Sequence, residues 1–130
     1  MPANTPPEGK NVFLNMLYNN ADPDRGTNLQ IGLFTNTSAF ASLAAVTEPS
    51  GGGYARQTLI DGSWPVSAGV AAHPSIVFTA AGSNYSGPVY GYFIATTGTV
   101  PRILHSEVDP LAPVSIIDGE SYTIDLSSVL

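Results

Sequence analysis

The chain contains no cysteine. Disulfide stapling and thiol chemistry are therefore excluded, and nothing in it speaks to redox compartment. Charge is scarce as well. Only 11% of the residues are Asp, Glu, Lys or Arg, against about 25% in ordinary domains. The cations are Lys10, Arg25, Arg56 and Arg102, scattered along a chain of net charge −6. Phosphate backbones and anionic membrane surfaces are held by clustered cations, so neither nucleic acid nor membrane is expected as a partner. No apolar run approaches the roughly 20 residues that span a bilayer. The opening Met1-Pro2-Ala3-Asn4-Thr5-Pro6-Pro7 lacks the basic and apolar segments of a secretion signal. The expectation is a soluble chain made in the cytoplasm.

Catalytic groupings are missing too. His73 and His105 are the only histidines, and neither has a second His or a Cys at metal-ligand spacing. His73, just before Pro74, reads as a loop residue, and His105 as a strand residue facing solvent or an interface. No Gly-x-Ser-x-Gly elbow supports the many serines as nucleophiles. Gly51-Gly52-Gly53 is not followed by the Lys-Ser/Thr of a phosphate loop. Asp22-Pro23-Asp24-Arg25-Gly26 begins like a calcium loop but lacks the later spaced oxygens and the bidentate Glu. Glu107 with Asp109, and Asp118 with Glu120, are the spaced carboxylate pairs that glycoside hydrolysis or calcium would use. Asp118-Gly119-Glu120 reads better as a hairpin turn, with Gly at the φ > 0 position. No catalytic residue, metal or cofactor is assigned, and the chain is expected to be non-enzymatic.

What is present is the material of one small β domain. At 130 residues and 43% hydrophobic, the chain can bury roughly two-thirds of its unfolded surface. Ser, Thr, Asn, Gly and Pro fill the polar positions. Such a surface can be buried against a partner without desolvating many ions; it is equally the surface of an ordinary β domain with neutral loops. Residues 1–9 are proline-rich and predict an extended arm. Lys10 to Asn20 predicts a short amphipathic helix with Val12, Phe13, Met16 and Leu17 on its apolar face. Strands are predicted over 28–35, with Leu29, Ile31 and Leu33 inward, and over 54–60, 75–79, 89–96, 102–108, 114–117 and 122–126. Phe40, Leu43 and Val46 have the spacing of a helical turn inside the long 36–53 connection, which Ser50 to Gly53 ends as a hinge or wide turn. Gly91 predicts a bulge or a close backbone approach. Nothing helical intervenes after residue 54. The fold class is therefore mainly β: an antiparallel sandwich or barrel of six to eight short strands behind a short N-terminal helix.

Trp64, Tyr85, Tyr90 and Tyr92 are either a sugar-stacking platform or core and loop-edge residues. The core reading is favoured, with Tyr90 and Tyr92 on one strand face and Phe93 on the other. The order of elements carries a resemblance. An apolar helix, Leu29-Gln30-Ile31-Gly32-Leu33-Phe34-Thr35, Gly53-Tyr54-Ala55-Arg56, Trp64-Pro65-Val66, Ser75-Ile76-Val77-Phe78, Val89-Tyr90-Gly91-Tyr92-Phe93-Ile94 and Ile117-Asp118-Gly119-Glu120-Ser121-Tyr122 follow one another over residues 10–130. Together they resemble the small virion structural proteins of tailed bacteriophages, described as capsid decoration (cement) or tail-fibre-like proteins. The resemblance implies a β-rich protein assembled on a virus particle, in head or tail, with no catalytic residues. The leading expectation is a capsid cement protein that binds and stabilises the major capsid protein lattice, located in the virion after synthesis in the host cytoplasm, and the near-neutral Gly/Ser/Thr-rich surface points to a homotrimer. The competing expectation is a tail or receptor-binding component contacting host-surface carbohydrate, and beyond it a free lectin-like domain. Chain length and the lack of repeats favour the capsid. Residues 1–9, able to reach about 30 Å when extended, are the expected attachment device. Pro2, Pro6 and Pro7 limit its freedom, Asn4 and Thr5 offer hydrogen bonds, and Lys10 offers a charge to an acidic partner. The plain alternative is a disordered tail.

Overall fold

The computed structural model describes residues 7–129. Among these, seven strands form two antiparallel sheets, consistent with a small β sandwich. One sheet runs in the order β2 (Gln57–Leu59), β1 (Leu29–Phe34), β5 (Gly91–Ala95), β6 (Ile103–Val108). The other runs β3 (Val66–Ser67), β4 (Val70–Thr79), β7 (Ser121–Val129). Period-2 alternation aims Leu29, Ile31 and Leu33 from β1, Ile76 and Phe78 from β4, Tyr92 and Ile94 from β5, and Ile124 and Leu126 from β7 into one core. β5 is central, and all five of its residues are buried. Its second face, Phe93 and Ala95, joins Phe34 beneath the 36–53 connection. Phe40, Leu43 and Val46 pack there, with a 3₁₀ turn at Leu43–Ala45. Gly51, Gly52 and Gly53 form the turn that ends this connection, all with positive φ.

The helix α1 spans Pro7–Tyr18. It therefore takes in the last three residues of the predicted arm, Pro7 included. Proline suits the first helical turn, where its missing N–H leaves no bond unmade, and Glu8 beside it favours the helix N-terminus. Pro2, Asn4, Thr5 and Pro6 lie outside the described residues. The buried face of α1 also differs from the expected one. Leu14 and Tyr18 are in the core with Leu17 against it, whereas Val12 and Met16 are 58% and 61% exposed. Two apolar stripes compete on this helix. The Leu14–Tyr18 stripe prevails because the Tyr18 ring stacks on Trp64, with centroids 4.3 Å apart.

Other differences have local causes. His73-Pro74 is not a loop: β4 continues through it, and the register shifts between His73 and Ile76. A proline cannot donate to the ladder, so a strand carries it at a bulge. Val114–Ile117 is not a strand. It makes a single bridge from Val114 to Val89, and its Ile116 carbonyl accepts the Tyr85 N–H at 3.0 Å. Pro113 before it and the turn at Gly119 (φ 88°) behind it leave no room for a ladder. The predicted strand over 54–60 shortens to β2, because Tyr54 and Arg56 turn toward Glu48. Tyr90 does not share the face of Tyr92; it precedes β5 and packs against the Phe34–Phe93 cluster. At Gly91 the close approach is real, since a Cβ there would lie 2.0 Å from the Glu107 carbonyl oxygen.

Candidate functional site

Most polar side chains with chemical potential are engaged inside the fold. Arg25, only 6% exposed, is the clearest case. Its guanidinium donates to the Leu17 carbonyl, to the Tyr18 carbonyl at 2.9 Å, to the Gly26 carbonyl at 2.9 Å, and to Asp61 Oδ1. It thus satisfies carbonyls at the C-terminal end of α1, which the helix itself leaves unpaired. Asp61 Oδ2 accepts the Asn28 N–H at 3.0 Å, and Asn28 Oδ1 accepts the Asp61 N–H at 2.7 Å. Burial pushes the Asp61 carboxyl up, but the Arg25 and Asn28 hydrogen bonds outweigh it and hold the carboxyl below its ordinary value. A second network joins the 36–53 connection to β1. Arg56 forks onto Glu48 at 3.0 and 2.9 Å and lies 5.2 Å over the Phe93 ring, and the hydrogen bond to Glu48 raises its pKa. The Tyr54 hydroxyl donates to Glu48 at 2.8 Å and accepts the Leu33 N–H at 2.9 Å.

Of the carboxylates singled out from the sequence, Glu107 and Asp109 serve as acceptors for phenols, and Asp118 and Glu120 accept the Gly82 and Ile117 N–H groups around their turn. Tyr92 OH donates to Glu107 Oε2 at 2.7 Å, and Tyr122 OH donates to Asp109 Oδ2 at 2.6 Å. These groups line a cleft of about 210 Å³ beside β7 and the end of β6. Burial first, and the adjoining carboxylates second, raise the pKa of both phenols. The second pair bonds β7 of one sheet to the segment leaving β6 of the other, across the open seam of the sandwich. The Asp22–Gly26 loop closes on itself, its Asp22 carboxylate accepting the Asp24 N–H at 2.9 Å. Among the described residues no group of three or more His, Cys, Asp or Glu converges as metal ligands. Trp64, Tyr85 and Tyr92 are buried, so they form no exposed stacking platform. His105 lies exposed on β6, 6.0 Å from the Tyr92 ring.

On another side of the fold lies a groove of about 490 Å³. The last turns of α1, the Asp22–Gly26 loop and the β5–β6 hairpin bound it. Met16, Leu17, Val100, Ile103 and Leu104 supply apolar lining, and Asp22, Asp24 and Arg102 are the charged groups beside Arg25. Its frame is rigid. The Thr97 N–H donates to the Arg25 carbonyl at 2.8 Å, and Thr97 Oγ1 donates to the Asn28 carbonyl at 2.7 Å. Gly98 sits so close that a Cβ would lie 2.2 Å from the Asp24 carbonyl oxygen.

Lys10, the expected partner-binding residue whose side chain is described, does not line this groove. Pro7 opens α1, and Lys10 lies half-buried with its stem over Gly69 in the β3–β4 turn. Asn11 fixes the same turn by accepting the Gly69 N–H at 2.8 Å. The signal for the groove was present in Met16, which belongs to the apolar stripe that the core leaves uncovered. A second signal was Val100 beside Arg102, an apolar residue in a hairpin turn. Comparison with protein-family models, with curated proteins and with solved structures finds no match.

Proposed function

We propose that this chain is a non-enzymatic structural protein of a bacteriophage particle that decorates the capsid by binding the major capsid protein lattice. The observation that carries this reading is a division of labour among side chains. Arg25, Asp61, Glu48, Arg56, Glu107 and Asp109 are each bonded within the fold. Among the described residues the outward face instead offers exposed apolar side chains and the edge strands β6 and β7. Strand edges and low-charge apolar surface are what protein–protein association uses. The carbohydrate-binding reading draws no comparable support, because Trp64, Tyr85 and Tyr92 are buried and Tyr90 is half-buried against the Phe34–Phe93 cluster.

The test adds the purified chain to phage heads that lack a decoration protein. Hundreds of copies per head, together with slower loss of heads on heating, are expected. A few copies per particle would move the protein to the tail, and no retention would overturn the proposal. A chain truncated to begin at Pro7, which keeps α1 whole, assigns the arm in the same assay. Weaker retention with an unchanged melt makes residues 1–6 the attachment device; unchanged retention makes them a tail.

A further inference from the structure

We infer that the groove between α1 and the β5–β6 hairpin is a self-association face, in which a second copy of this chain docks about a two-fold axis. In this pairing Arg102 of each copy meets Asp24 and Asp22 of the other, and the Met16 and Val100 side chains pack between them. The groove holds both halves of an ion pair without joining them. Among the described residues the ion pairs are Arg25–Asp61 and Arg56–Glu48, so Arg102 pairs with neither groove aspartate. Arg102, Asp22 and Asp24 are all exposed. The same groove presents apolar side chains to water, Met16 at 61% and Val100 at 58% exposure.

A surface that carries a cation, two anions and exposed apolar side chains in one patch can offer each charge an opposite one on a second copy. A two-fold interface requires this property, since residue i then contacts j while j contacts i. The trimer expected from the low-charge surface needs two different matching patches on each copy; this groove closes with two copies. The frame supports docking without rearrangement, because the Gly98–Asp24 contact and the Arg25 hydrogen bonds fix both banks. The inference rests on the groove alone and stands apart from lattice binding.

The patch is small, so the pair belongs to the weak class, with Kd in the range of about 10 µM to 1 mM. Sedimentation of the full chain up to roughly 1 mM is therefore expected to reveal a monomer–dimer equilibrium. Met16→Glu, at an exposed position, should abolish the dimer and leave the thermal melt unchanged. Arg102→Asp and Asp24→Arg should each weaken it about tenfold, as like charges replace opposite ones. Mixing those two single variants should restore it, because one half of the interface then holds the native pair and the other half the reversed pair. A monomer throughout the range would overturn the inference. So would a trimer, or a dimer indifferent to Met16→Glu and Arg102→Asp. Head binding measured on the same variants separates the two readings. A monomeric chain whose retention on heads falls with Met16→Glu assigns the groove to the lattice and refutes pairing, while leaving the capsid proposal intact.

Discussion

Trp64 joins more parts of the molecule than its position after an Asp61-Gly62 turn suggests. Its ring is 2% exposed, stacked on Tyr18 of α1 and edge-on to His73 of β4 at 5.0 Å. Its backbone is bracketed by Asn19, which donates to the Trp64 carbonyl at 2.9 Å and accepts the Trp64 N–H at 3.1 Å. Removing the ring would leave a large void at the joint of helix and sheet. Trp64→Ala is therefore expected to cost about 3–5 kcal/mol. Trp64→Phe should cost less than the lost area alone implies. The indole Nε1 is buried without a hydrogen-bond partner among the described residues, and an unpaired buried donor carries a penalty of about 1–3 kcal/mol that Phe does not have. Urea melts of both variants decide the matter. A loss under about 1 kcal/mol for Trp64→Ala would mean that the ring is not a core member.

Elements with one buried face were legible in the sequence; elements whose faces tertiary contacts decide were not. β1 alternates Leu29, Ile31 and Leu33 against smaller or polar neighbours, and all three are fully buried. β5 reads as central and is central, and the apolar spacing of Phe40, Leu43 and Val46 marks the segment that covers its second face. The helix illustrates the other case. Local periodicity offers Val12–Met16 and Leu14–Tyr18 alike, and only the distant Trp64 chooses between them. The groove was legible only in fragments, Met16 and Val100, since its banks come from residues 16–25 and 96–104 and meet only in the fold. The glycines at that junction carry the information in a form that spacing does not reveal. Gly26 has φ 82°, and a Cβ on it would lie 2.4 Å from the Thr97 backbone; Gly98 abuts Asp24 in return. These two positions let loop and hairpin meet backbone to backbone. Gly98→Ala is expected to push them apart, because the clash is with backbone atoms that have no alternative rotamer. Its stability should fall by about 1–3 kcal/mol, and the self-association expected of the groove should fall with it. Gly62→Ala isolates backbone strain, since Gly62 has positive φ (83°) with open space around its Cβ direction, whereas Gly98 lacks a positive φ and meets only the close contact. A Gly98 variant that melts above the Gly62 variant would contradict the close-contact account.

For the whole molecule, the seam between the sheets sets how stability responds to pH. Tyr92 and Tyr122 lie at one edge of the sandwich, each donating to a carboxylate, and Tyr54 ties the 36–53 connection to β1. Burial is the chief reason that all three phenols hold their protons well above the ordinary tyrosine range. An acid whose folded pKa is raised stabilises the fold fully below its unfolded pKa. That contribution is lost as pH rises from there toward the folded value, because the unfolded chain releases protons that the folded chain retains. The alkaline limb should therefore begin as pH passes about 10, the unperturbed phenol value. Asp61 acts in the opposite sense. Its folded pKa is lowered, so its contribution is complete above the unfolded carboxyl value of about 3.9 and fades as pH falls below it. Urea midpoints between these limits should form a plateau with both shoulders falling. The alkaline shoulder belongs to specific residues, so it can be moved. Tyr92→Phe with Tyr122→Phe should lower the plateau, because Glu107 and Asp109 lose a donor, and should flatten the fall above pH 10. Phenolate absorbance offers an independent reading on the six tyrosines of the chain. Part of that absorbance should appear only together with unfolding. If all six ionised with ordinary pKa values while the protein stayed folded, the phenols would not be sealed in the seam, and its role in joining the two sheets would have to be given up.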